Sequence, residues 1–155
     1  NHPRYPYHLL REEMQEFILD KLQLLIERKL IKGIGENGTE YTVIAQILDL
    51  PKEILRLIQK FDFTKKNPKL IYINTGETMI SLQDSILVTF LNLAGFDILF
   101  FVPTGYQSVE NYFAEKLMEE HQIGEYKYDM QVPDLNNIST NSTRPSWRRK
   151  LFRRG

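Results

Sequence analysis

Through the first fifth of the chain, apolar residues recur at three- and four-residue spacing. Leu10, Met14, Phe17, Leu24 and Leu25 form the stripe, and Ile18 and Leu22 widen it. That period predicts one long amphipathic helix over 8–32. Glu12 and Glu13 near its start and Lys29 and Lys32 near its end suit the helix dipole, and Gly33 is the expected residue just past its end. "GIGENGTE" then reads as a glycine-rich turn. "TVIAQILDLPKEILRLIQKF" predicts two short helices separated at Leu50-Pro51, with Pro51 in the first turn of the second, where its missing N–H costs nothing. Two short helices about a tight turn have the outline of a helix-turn-helix. The second offers only Lys52, Arg56, Gln59 and Lys60 toward a groove. A recognition helix needs more reach to base edges, so a helical hairpin packed on a neighbour is the better reading.

After the polar linker "TKKNP" the period changes. "KLIYIN" (Lys69 to Asn74) is a β-rich run, and "DILFFV" (Asp97 to Val102) is apolar at nearly every position. Such runs predict strands covered on both faces, as in parallel sheets. Between them "SLQDSILVTFLNLAG" reads as a helix, with Ser81 as N-cap, Asp84 where a capping box has Glu or Gln, and Gly95 at the end. "SVENYFAEKLMEEHQ" predicts a further helix, capped by Ser108 and closed near Gly124. "EYKYDM" (Glu125 to Met130) alternates Tyr126 and Tyr128, as a short edge strand would. The expected fold class is α/β: a small parallel Rossmann-like βαβα sheet with a right-handed crossover, a helical N-terminal segment and a flexible basic C-terminal tail. The division that follows is a helical segment at 1–66, the α/β unit at 67–132, and linker plus tail at 133–155.

Composition adds limits. With 155 residues, 42% of them hydrophobic and 26% charged, the chain is long enough for a real core and too apolar for wholesale disorder. Cysteine is absent, which excludes disulfides and thiolate metal sites. His2, His8 and His121 are far apart and make no ligand spacing, so no metal is assigned. No apolar run reaches the roughly 18–20 residues that span a bilayer, so no transmembrane segment is expected. "NHPRYPYHLL" has no signal-peptide pattern and no initiator Met, so the chain is expected to be a piece of a longer protein.

Charge is unevenly spread. Between Ser139 and Gly155 all six charged residues are cations, so at zero net charge the remainder carries six excess negative charges. In "RPSWRRKLFRR" those cations alternate with Trp147, Leu151 and Phe152. Docking on the acidic body, or no fixed structure, is the expectation for this tail; a membrane surface or nucleic acid is the alternative, and nucleic acid is not favoured.

Ligands of open parallel sheets bind beyond the carboxyl ends of the strands, where loops enter helices. Two loops here qualify, "NTGETMIS" and "PTGYQS", and parallel strands would bring both to one edge. Each contains Thr-Gly. Glycine permits close backbone approach, and a following helix N-terminus favours an anion. The candidate ligand-binding residues are therefore Asn74, Thr75, Gly76 and Glu77 in the first loop, and Thr104, Gly105, Tyr106 and Gln107 in the second. Plain turn chemistry is the competing reading, because neither loop carries a G-x-G-x-x-G or a Walker A sequence. Glu77 and Asp84 are the nearest carboxylates. Asp84 is more simply a helix N-terminal charge and Glu77 a solvated loop residue. No Gly-x-Ser-x-Gly occurs, so no reaction, catalytic residue or cofactor follows from the residues.

"YINTGETMISLQDSILVTFLNLAGFDILFFVPTGYQSVENYF", with "EEHQIGEYKYDMQVPDL" after it, resembles the C-terminal part of the bacterial YceG-type proteins. These are described as proposed components of a biosynthetic module encoded with tellurite- and toxic-anion-resistance genes. The resemblance covers about residues 68 to 135. It implies a cytoplasmic, stress-associated protein several times longer than this chain, with TerD-like and TelA-like proteins as partners. It brings no catalytic residues to these positions. It favours a small anionic or nucleotide-like metabolite at the sheet edge, with a non-catalytic protein–protein interaction module as the alternative.

Overall fold

The first helix, α1 (Glu12–Glu27), buries Met14, Ile18, Leu22 and Leu25. It is shown in a computed structural model that describes residues 5–60, 67–76, 80–106 and 110–132. The apolar stripe is the predicted one, but both ends fall short of 8–32. At the start, Tyr7 is drawn into the core: its hydroxyl donates to the Ile47 carbonyl at 2.6 Å and accepts from the Leu50 N–H at 2.8 Å. Residues 5–10 turn to make that contact and do not extend the helix. At the other end the helix closes with Lys29, not Gly33. Lys29 N–H bonds Ile26 O and Leu30 N–H bonds Leu25 O, the paired closure in which the residue after the C-cap turns left-handed. Lys29 takes that conformation with φ +50.

Two short helices follow, α2 (Thr39–Ile47) and α3 (Lys52–Lys60), divided at Leu50-Pro51 as predicted. Helix α4 (Leu82–Leu93) is the hub. Ser85, Ile86, Val88, Thr89, Phe90 and Leu91 are all buried on it. Its two buried hydroxyls bond back to carbonyls four residues earlier, Ser85 to Ser81 and Thr89 to Ser85. Ser81 caps the start, accepting from the Asp84 N–H at 3.0 Å and donating to the Asp84 carboxylate at 2.7 Å. Gly95, at φ +94, closes the end with the same pair of bonds that Lys29 makes in α1.

Strands β1 (Lys69–Ile73) and β2 (Asp97–Phe101) pair in parallel, Lys69 opposite Asp97 through Ile73 opposite Phe101. Helices α1 and α2 pack on α4 and on each other, and β2 also touches α4. One apolar cluster joins Ile18, Leu25, Val43, Ile47, Ile86 and Phe90, with Leu70, Tyr72, Ile98 and Phe100 of the sheet packed against it. Each fully buried large side chain contributes about 1.5–3 kcal/mol of hydrophobic stabilisation. The chain is thus α/β, with four helices and a two-stranded parallel sheet among the described residues.

Three expectations are corrected. Among the described residues the strands are covered on one face only. Ile71, Ile73, Leu99 and Phe101 stand 40–56% exposed on the other. An apolar strand reads the same whether or not a second layer covers it.

The helix predicted from Ser108 to Gly124 does not form at residues 110–124, so the unit is βαβ and not βαβα. Phe113 instead pairs with Ile31 in an antiparallel bridge. Lys32 N–H bonds Tyr112 O and Ala114 N–H bonds Leu30 O, both at 2.9 Å. Those backbone groups are spent on a distant segment and cannot close helical turns.

The edge strand at 125–130 is also absent. Lys127 N–H donates to Pro103 O at 2.8 Å, and that segment makes no ladder. The tail at 133–155 and the predicted cap Ser108 lie outside the described residues.

Candidate functional site

The predicted edge exists. Asn74 N–H continues the ladder to Phe101 O at 2.9 Å, so both strands end together. Beyond β1, Gly76 N–H turns back onto Asn74 Oδ1 at 3.3 Å. Beyond β2, Gly105 N–H closes a turn on Val102 O at 3.0 Å, with Pro103 in the second position that such turns favour. Thr104 is 8% exposed and joins the two loops. Its hydroxyl lies 3.5 Å from the Gly76 carbonyl, as donor, and accepts from the Tyr106 N–H at 3.3 Å. The two Thr-Gly corners therefore share one rim. Asn74, Thr75, Gly76, Thr104, Gly105 and Tyr106 are placed there, whereas Glu77 and Gln107 lie outside the described residues.

The second corner also borders a cleft of about 380 Å³ lined by Thr104, Gly105, Tyr106, Tyr126 and Tyr128. The Lys127-to-Pro103 bond holds the extended segment against the corner, and two-residue spacing sends Tyr126 and Tyr128 to the same side. Sequence reasoning assigned these two tyrosines to an edge strand and missed them as a site. Their alternation was the available signal.

Gly105 has φ +68, which other residues resist, and a Cβ there would meet the Tyr126 ring unless that ring moved. Every described side chain lining the cleft is uncharged. A broader depression of about 530 Å³ lies elsewhere, lined by Arg11, Glu12, Glu13 and Glu16 on the solvated first turn of α1.

Nearby titratable groups have structural work. Burial, and after it the Asp84 carboxylate to which it hydrogen-bonds, raises the Tyr72 phenol above its ordinary pKa. Asp84 also accepts from Ser81, which suits a helix-capping charge. Among the described residues no group of three or more His, Asp or Glu side chains is arranged to hold a metal ion. No helix among them is long and apolar enough to cross a membrane.

Comparison with known proteins places the chain. The model of the YceG domain family matches residues 1–143. The protein named "Uncharacterized protein YceG" from Bacillus subtilis (strain 168) is 31% identical over 93 residues, which is 58% of this chain and 17% of that protein. The chain therefore spans under a fifth of the length of the curated relative it matches. No solved structure matches it.

Proposed function

The chain belongs to the YceG domain family, and from that premise we propose that its sheet edge binds a small anionic or nucleotide-like metabolite. The βαβ unit would then work in the Rossmann manner, presenting ligand beyond the carboxyl ends of its strands. What supports this reading is the meeting of two Thr-Gly corners at Thr104 and Gly76 beside an open cleft. In the setting proposed, the whole protein is a cytoplasmic stress-response component of a biosynthetic module in a tellurite- or toxic-anion-resistance system. Calorimetric titration of the full-length protein with nucleotides and sugar phosphates tests it. Binding that weakens when Gly76 or Gly105 is replaced supports the proposal. No binding, or equal binding by those variants, ends it.

A second reading has its own support in the apolar sheet face formed by Ile71, Ile73, Leu99 and Phe101. Here the chain is a non-catalytic interaction module for partners of the same operon, such as TerD-like or TelA-like proteins. Co-purification of the full-length protein with those partners, with and without polar substitutions on that face, separates the two. Unchanged recovery of partner rules the face out.

A further inference from the structure

The lining of the cleft narrows what kind of ligand part it can hold. Three phenol rings border it, with Tyr106 45%, Tyr126 54% and Tyr128 63% exposed. Among the described residues none of their hydroxyls has a hydrogen-bond partner, and no cation lines the cleft with them. Among the described residues a phosphate would find neither charge nor a fan of N–H donors there. A flat ring finds faces to stack on and hydroxyls that can donate to or accept from its edge. The volume, about 380 Å³, lies at the low end of the roughly 300–1,000 Å³ typical of ligand sites and suits one ring system, not a dinucleotide.

The arrangement is also positioned. Tyr126 rests against Gly105, whose missing Cβ makes the contact feasible, and the Lys127 N–H bond to Pro103 fixes the segment. Resting on the ligand-binding reading above, we propose that the cleft takes the heteroaromatic ring of a nucleoside-type metabolite, stacked on the tyrosines, while any phosphate extends away from it. Base–aromatic stacking accounts for about tenfold or more in affinity per ring.

The test uses the full-length protein with adenosine, adenosine monophosphate, ribose 5-phosphate and inorganic phosphate. Affinity is read by calorimetry, and the contacting protons by saturation-transfer NMR. Adenosine should bind measurably, its monophosphate at least as tightly, and in both the base protons should be the most strongly saturated. Tyr126→Leu or Tyr128→Leu should weaken both about tenfold, while Tyr126→Phe stays within about threefold of the parent because the ring is kept. These tyrosines are more than half exposed, so the variants keep the fold, which circular dichroism checks. If ribose 5-phosphate binds as tightly as the nucleotide, or the leucine variants bind undiminished, the ring proposal fails while binding at the corners stands. If none of the four binds, both readings fail.

Discussion

The ring of Tyr126 packs on the backbone of Gly105 so closely that a Cβ at Gly105 would fall well inside van der Waals contact with three of its carbons. Gly105 is also left-handed at φ +68. Gly105→Ala thus combines backbone strain with a collision, and about 2 kcal/mol of destabilisation is expected. Denaturant unfolding measures it. Tyr126 is the movable partner, so its aromatic NMR signals should shift as well.

Two neighbouring tyrosines should answer substitution differently. Tyr7 bridges Ile47 O and Leu50 N–H in the core, whereas the buried hydroxyl of Tyr5 has no partner among the described residues. Tyr7→Phe leaves two buried backbone groups unpaired and should cost about 1–3 kcal/mol. Tyr5→Phe should be neutral or slightly stabilising. Burial is the main cause raising the Tyr7 phenol pKa. Its contribution is then complete below the pKa of an unfolded tyrosine and is lost as pH rises through the higher folded value. Tyr7→Phe should flatten that alkaline loss.

Lys29 closes α1 in a conformation that side chains resist, while Gly95 fills the same slot after α4. Lys29→Gly should stabilise the fold by roughly 0.5–1 kcal/mol, and Gly95→Ala should destabilise it by at least as much. Thermal unfolding of the pair checks both signs.

At the start of the sheet, Lys69 Nζ lies 2.6 Å from Asp97 Oδ2. That hydrogen bond, with a second from Asn67, holds the Asp97 carboxyl below its ordinary pKa. The stabilisation is present above the unfolded carboxylate value and is lost as pH falls through the lowered one. Both side chains are more than half exposed, so the effect is small and salt-sensitive. Asp97→Asn should shrink the acid-side loss of stability in low-salt titrations.

Phe113 is 4% exposed and ties its segment to Ile31. Phe113→Ala should cost about 3–5 kcal/mol. Hydrogen exchange at the Lys32 and Ala114 amides should quicken, because their bonds hang on that anchor.

What could be read from the residues followed the range of the forces involved. Both signals of α4 were local: a serine with a carboxylate three residues on, and a glycine in the closing position. The strands announced themselves by apolar runs, and the six described candidate residues fell on one rim as parallel pairing requires. The end of α1 was misplaced because a lysine occupies a position where glycine is the usual marker. The helix that does not form at residues 110–124 shows the limit more sharply. Its apolar period is genuine, but Tyr112 and Ala114 give their backbone bonds to residues far back in the chain, which no local pattern reveals. Tyr126 and Tyr128 were noticed for their spacing and credited to a ladder, although what the spacing does is wall a cleft.

The ribbon of β1 and β2 leaves a longer shadow. Each strand has a single neighbour among the described residues, so each offers an outer row of amides and carbonyls flanking an oily surface. Handled alone at high concentration, such a ribbon is a template for stray pairing, and the purified segment should self-associate well below its melting temperature. Cloning boundaries that leave this ribbon bare will therefore trade yield for turbidity.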